Sequence, residues 1–314
     1  MVETAGDAVA VKASVTDPST GLEETVVWGL ERGKAALATD ISIVNPSNAT
    51  QTFAHWVNPQ WAPGGLNRLS NDTELVIPTK QVLIPERWQD RLGPSPQAWP
   101  TCPLRTVGGW GGMGDFLADG LDQGYYGLYS HAAEEGVLRV FDQQRSPGLD
   151  VWTYGNETAG IPGEGTYAEM WGGTVTSFPD ERGPLAAGAE VAWREWIVPF
   201  QKIGGASYAN QHLAMKTELD AQNATLAVRV CPTRRVALGS VAVTQGAGDN
   251  ATVLGTDIFE GYGPAEPLAR AFDLGSSPDY NALLPVTVTV LEGVAVLGVA
   301  HVHPWDTPPS PSWG

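Results

Sequence analysis

The stretch LAAGAEVAWREWIVPF, residues 185–200, decides the fold. Its small residues around Gly188 make a turn, and the residues after the turn change side at every step. Val191, Trp193 and Glu195 share one side, while Ala192, Arg194 and Trp196 share the other. A period of two is the signature of a strand, because successive Cβ atoms point to opposite faces of the pleat.

The same pattern extends in both directions. Residues 8–16, AVAVKASVT, alternate like a half-buried strand, and DPSTG then turns the chain. EETVVWGLE and AALATDISIVN follow, PSNAT breaks the chain, and QTFAHWVNPQW resumes it. Residues 86–115 are irregular, but Trp88, Trp99 and Trp110 argue for order there, since disordered segments are poor in aromatics. YYGLYSH, GVLRVFD and LDVWTYG are again short strands, with SHAAEEG as a tight turn. The best helix candidate is ASYANQHLAMKTEL, residues 206–219. From ATLAVRVCPT to PVTVTVLEGVAVLGVAHVH the pattern is strand after strand. The expectation is all-β: a large antiparallel β-sandwich of roughly fifteen to eighteen short strands around one core, with little helix. Residues 1–304 read as a single domain and the Pro-rich residues 305–314 as a loose tail.

Composition supports this reading. Among 314 residues, 37 Gly and 24 Pro suit many turns and few long helices. The net charge of −17 repels phosphate backbones, so nucleic acid is an unsuitable partner. No apolar run reaches a spanning length of about 20 residues, and no membrane partner is expected. The opening MVETAGDAVAV lacks the layout of a signal peptide. Against that, five Asn-x-Thr sequons, at Asn48, Asn71, Asn156, Asn223 and Asn250, lean toward a secreted glycoprotein. Cys102 and Cys231 allow at most one disulfide and form no zinc-type pair. His301, His303 and Asp306 are weak metal candidates at best, so neither a metal nor another cofactor is expected. Exposed sheet edges are compatible with a monomer or a homodimer.

Twelve Trp offer broad flat faces of the kind that pack on the C–H side of a sugar, although filling the space between sheets is their commoner use. In GTYAEMWGGTVTSFPDE, residues 165–181, Glu169 falls in the middle of an otherwise apolar strand, close to Tyr167, Trp171 and Phe178. A carboxylate partly desolvated among aromatics moves toward the range where it can exchange protons near neutral pH. His55 and His131 are the two candidate acids, because histidine titrates in that range. Arg87, beside Trp88, together with Trp110 and Asp115, suits a hydroxylated or carboxylated sugar.

Four segments resemble the galactose-mutarotase-like superfamily, in its aldose-epimerase-like branch. They are DISIVNPSNATQTFAHWVNPQWAPGG, GLYSHAAEEGVLRVFDQQRSPGLDVWTYG, TYAEMWGGTVTSFPDE and LAAGAEVAWREWIVPFQKIGG, within residues 40–205. The resemblance implies a sandwich whose concave sheet carries a glutamate acting as general base on an anomeric hydroxyl, at the position of Glu169. The family's E-x-Q has Trp171 in place of the glutamine here, a departure that supplies a stacking platform. The implied partner is a mono- or oligosaccharide, and the implied chemistry is acid/base proton transfer, with His55 or His131 as acid. Two alternatives stand beside it. One is a polysaccharide lyase in which Tyr125, Tyr129 or His131 removes the C5 proton of a uronate and Arg87 neutralises its carboxylate. The other is a glycan-binding protein without catalysis.

Overall fold

The alternation at residues 185–200 is realised as the strand Glu190–Gln201, which pairs antiparallel with Leu37–Val44. The computed structural model describes residues 2–65, 68–153, 167–176 and 181–304. Among them are 24 strands and no helix longer than the four residues Gln89–Leu92. The protein is all-β and antiparallel. The surplus of strands over the sequence reading comes from two-residue pairings such as Trp56–Val57, Gln97–Ala98 and Tyr208–Ala209, too short to carry an alternation.

The chain divides into two compact units, Met1–Pro199 and Phe200–Gly314. The first contains a sandwich of two sheets. Its eight-stranded sheet runs, edge to edge, Val2–Ala5, Ala8–Thr16, Glu23–Glu31, Leu37–Val44, Glu190–Gln201, Glu135–Val140, Tyr125–Ser130 and Thr73–Val76. Its six-stranded sheet runs Trp56–Val57, Ala168–Gly173, Gly148–Thr153, Gly114–Ala118, Gln81–Leu83 and Gln97–Ala98. Leu75, Tyr126 and Leu128 from the larger sheet meet Val82, Phe116, Val151 and Met170 from the smaller. The irregular segment 86–115 closes this core with Trp99, Leu104, Val107 and Trp110, which is why a segment without regular structure is ordered.

The second unit has its own core between two four-stranded sheets, built from Leu213, Val228, Val241, Phe259, Val288 and their neighbours. Each unit thus has buried apolar side chains of its own. The boundary falls inside the strand Glu190–Gln201, so no Gly-, Pro- or Ser-rich linker marks it. The helix expected at residues 206–219 is corrected here: the residues form the strands Tyr208–Ala209 and Leu213–Asp220. Ala, Leu, Met, Lys and Glu favour a helix locally. Pairing with Thr225–Pro232 along one edge, and burial of Leu213, Met215 and Leu219 in the core, override that preference.

Candidate functional site

Alternation along three neighbouring strands of the six-stranded sheet sorts its side chains onto two faces. Phe116, Val151, Ala168 and Met170 point into the core and are fully buried. The residues between them point the other way. Strand register lines them up in two rows: Asp115 opposite Trp152, which is opposite Glu169; and Leu117 opposite Asp150, which is opposite Trp171. Carboxylates and indoles thus alternate over one open face, and Asp150, Trp152, Glu169 and Trp171 are each partly exposed there.

Glu169 is held by four side-chain donors. Asn58 Nδ2 reaches Oε2 at 2.9 Å and Gln60 Nε2 reaches Oε1 at 3.2 Å. The Tyr167 hydroxyl donates to Oε1 at 3.1 Å, and Trp171 Nε1 donates to Oε2 at 2.7 Å. Trp171 lies two residues along the strand, so the same pleat that aims Glu169 outward brings the indole N–H beside it. Every contact found treats the group as an acceptor, the role of an ionised carboxylate.

Asp115 is buried, and it is paired. Arg87 Nη2 reaches its two oxygens at 2.9 and 3.1 Å, and Trp88 Nε1 donates to the same carboxylate. The Trp88 ring stands edge-on to Trp152, with centroids 5.5 Å apart. The Arg87 side chain remains 65% exposed, which leaves most of its donors facing solvent.

Asp150 completes the face. Its Oδ1 is closed off from solvent and has no hydrogen-bond partner. Burial, and then the negative charge of Asp115, push its carboxyl up to about 7, with Arg87 pulling the other way and Glu169 adding to the rise. A carboxyl that exchanges its proton near neutral pH, flanked by two others, is the kind of group found where proton transfer is needed.

The structure places Glu169, Trp171 and Asp115 on this face, with Arg87 at Asp115, and places the rest elsewhere. Trp110 is fully buried, stacked on Phe116, with its N–H donating to the Leu104 carbonyl at 2.8 Å; it offers no ring face to a ligand. Tyr125 and Tyr129 are buried on the eight-stranded sheet. The His131 ring sits 2.8 Å from Glu74, which also receives Arg105, again on that sheet. Tyr125 and Tyr129, and His131 in the turn that follows their strand, therefore belong to a different sheet from Asp115, the residue that holds Arg87, and a lyase reading has to bridge that separation. His55 faces Glu24 at 3.2 Å and packs edge-on against Trp193. Its backbone pairs with Thr174, five residues along the chain from Glu169, about 16 Å at the rise of a strand. His301 bonds Thr287 across two strands, while Asp306, Phe178 and Asp180 lie outside the described residues. Four of the sequon asparagines, Asn48, Asn71, Asn223 and Asn250, are exposed, and Asn156 lies outside the described residues.

Asp150, Trp152, Asn58 and Gln60 were not singled out in the sequence. One signal for the first two was present: Asp150-x-Trp152 and Glu169-x-Trp171 are the same acid-x-Trp spacing on successive strands. Antiparallel pairing sets each acid opposite the other's tryptophan.

The sequence matches no protein-family model and no curated protein. Solved structures do share its fold. A TPR-domain containing protein from Parabacteroides distasonis is similar at 18% identity over 63% of this chain and 34% of that one, with a TM-score of 0.53. Galactose-mutarotase-like proteins are among the structural neighbours. One from Clostridium acetobutylicum has 12% identity, coverage of 64% and 65% and a TM-score of 0.46. A galactose mutarotase related enzyme from Lactobacillus acidophilus has 12% identity, coverage of 66% and 73% and a TM-score of 0.44. At 18% identity the first of these likenesses is one of fold alone. The chain spans 34%, 66% and 52% of three such solved chains.

Proposed function

We propose that the open face of the six-stranded sheet binds a sugar and moves a proton on and off its anomeric hydroxyl, with Glu169 as the base, in the manner of an aldose 1-epimerase. The observation that carries this reading is Glu169 itself: a carboxylate oriented by four neutral donors, beside Trp152 and Trp171, on a face that solvent reaches. Neutral donors orient the group without cancelling its charge, as a guanidinium would. A sugar hydroxyl can take the place of the longest of the four contacts, that of Gln60 at 3.2 Å. The indoles supply flat apolar surface for the C–H face of the ring, and Arg87 supplies free donors at the rim.

The test uses freshly dissolved α-D-glucose, α-D-galactose and D-glucuronate. An enzyme of this class speeds the decay of optical rotation and creates no ultraviolet chromophore, and Glu169→Gln removes the acceleration. Quenching of tryptophan fluorescence without faster decay would instead identify a sugar-binding face without catalysis. A new near-ultraviolet absorbance from a uronate polymer would identify a lyase.

A further inference from the structure

Proton transfer to a sugar needs a second group, and neither histidine placed above faces the Glu169 row. We propose that Asp150 is the catalytic acid of this face, giving a proton to the ring oxygen of an aldose while Glu169 takes the proton of the anomeric hydroxyl. The inference rests on the reading of the face as a sugar site.

Geometry comes first. Asp150 is directly opposite Trp171, and Glu169 is two residues before Trp171, so the two acids are diagonal neighbours on one face. Such neighbours lie about 7–8 Å apart, with their Cβ atoms somewhat closer, a span that two carboxyl side chains bridge from either side of a pyranose C1–O5 bond. Trp152 and Trp171 occupy the remaining corners of the same square. Chemistry agrees with placement. Asp150 Oδ1 is shut off from solvent and has no partner, and the one hydrogen bond that favours its anion, from the Val151 backbone, is outweighed by burial and the neighbouring acids. The charged groups that act on it are Asp115, Glu169 and Arg87. Arg87 is engaged with Asp115, while burial and the two acids favour a neutral carboxyl, which brings it to about 7. Glu169 is ringed by four side-chain donors, whereas Asp150 keeps one oxygen with no donor at all; the first is set up to accept a proton and the second to lend one.

The step balances. Glu169 removes the hydrogen of the C1 hydroxyl, and the O–H electron pair becomes the second C–O bond of an aldehyde. The C1–O5 bond breaks, and its electron pair takes the proton of Asp150. Rotation about C1–C2 followed by the reverse transfers closes the other anomer and restores both acids. No oxidant, reductant or metal enters.

The experiment compares wild type, Asp150→Asn and Asp150→Glu by polarimetry of fresh α-D-glucose and α-D-galactose between pH 5 and 9, with tryptophan fluorescence reporting sugar binding. In wild type the catalysed rate should decline as pH rises through about 7, because the donor loses its proton. Asp150→Asn should lower the rate about 100-fold or more, leave binding within about threefold and abolish that alkaline limb. Asp150→Glu should restore part of the rate. A wild type that binds sugar without accelerating rotation sinks the proposed function and this role with it. An active wild type whose Asp150→Asn variant keeps its rate or its alkaline limb overturns the role of Asp150 alone. Should the variants misfold, a 13C titration of the Asp150 carboxyl in wild type decides: a midpoint in the ordinary aspartate range overturns the proposal.

Discussion

Arg139 and Glu195 meet inside the sandwich of the first unit, both almost fully buried, with Arg139 Nε donating to Oε2 at 2.7 Å and Nη2 pairing with Oε1. Trp193 Nε1 donates to the same Oε1 at 2.8 Å, and Arg139 also donates to the Tyr126 hydroxyl at 2.7 Å and to Ser146 at 3.0 Å. Phe141 lies under the guanidinium at 4.6 Å. Burial holds the Tyr126 hydroxyl up at about 12, so it remains neutral in this network. Removing one member leaves the other charge buried and uncompensated. Arg139→Met or Glu195→Leu alone should each destabilise the protein by about 3–5 kcal/mol in chemical denaturation. The double variant should be less destabilised than the sum, because the two groups couple. Additive single losses would show that the pair does not act as a unit.

Gly172 lies against that same network. A Cβ there would stand 1.9 Å from Arg139 Nη1 and 2.2 Å from the Tyr126 hydroxyl. Neither atom can retreat without breaking buried hydrogen bonds. Gly172→Ala should therefore cost about 1–3 kcal/mol. Gly29, with nothing within 4 Å of its would-be Cβ, is the control; Gly29→Ala should fall within about 0.5 kcal/mol of wild type. Equal midpoints for the two variants would show that the core at Gly172 is slack. The strand Ala168–Gly173 thus carries Glu169 on its outer face and presses Gly172 onto a rigid ion pair, which fixes the register of the proposed base.

What could be read from the sequence follows from which forces are local. The two-residue period of Val191, Trp193 and Glu195 is local, and it foretold both the strand and the shared face on which Trp193 and Glu195 are buried together. The position of Glu169 on a strand among aromatics was legible for the same reason. Its partners Asn58 and Gln60 come from a loop 109 to 111 residues away in sequence, and no spacing encodes such a meeting. Trp110 cannot be sorted from sequence, because a tryptophan that fills a core and one that carries a sugar look alike there; the difference is a neighbour, Phe116, and a carbonyl acceptor at Leu104. Asp150 is not legible in the sequence because its proton affinity is set first by burial and then by Asp115 and Glu169 on the two adjacent strands, and only the folded register reveals those surroundings.

The raised Asp150 carboxyl also makes stability depend on pH. In the unfolded chain an aspartate titrates at about 3.9, and in the folded chain this one titrates at about 7. Between those values the folded state holds a proton that the unfolded state has released, so this group's contribution to stability falls as pH rises across that window and is flat above it. The slope approaches about 1.4 kcal/mol per pH unit. Asp150→Asn removes it. Denaturation series at pH 5 and pH 8 should show the variant gaining on wild type at the higher pH. A constant difference between the two proteins would contradict a carboxyl that is neutral in the folded state below pH 7.

Trp171 has two separable duties on the proposed sugar face: its ring offers an apolar platform, and its N–H holds Glu169 Oε2 at 2.7 Å. Trp171→Ala removes both and should weaken binding of D-galactose or D-glucose at least about tenfold, equivalent to about 1.4 kcal/mol. Trp171→Phe keeps a flat ring and loses only the donor, so binding should stay within about threefold while the catalysed rate falls, because Glu169 loses the shortest of its four contacts. Trp152, edge-on to Trp88 and opposite Glu169, should respond to alanine as Trp171 does in binding. Fluorescence titration separates the two duties from each other, and polarimetry reads the second directly. If Trp171→Ala and Trp152→Ala both bind these sugars as wild type does, the ligand does not lie on this face, and the base assigned to Glu169 has nothing to act upon.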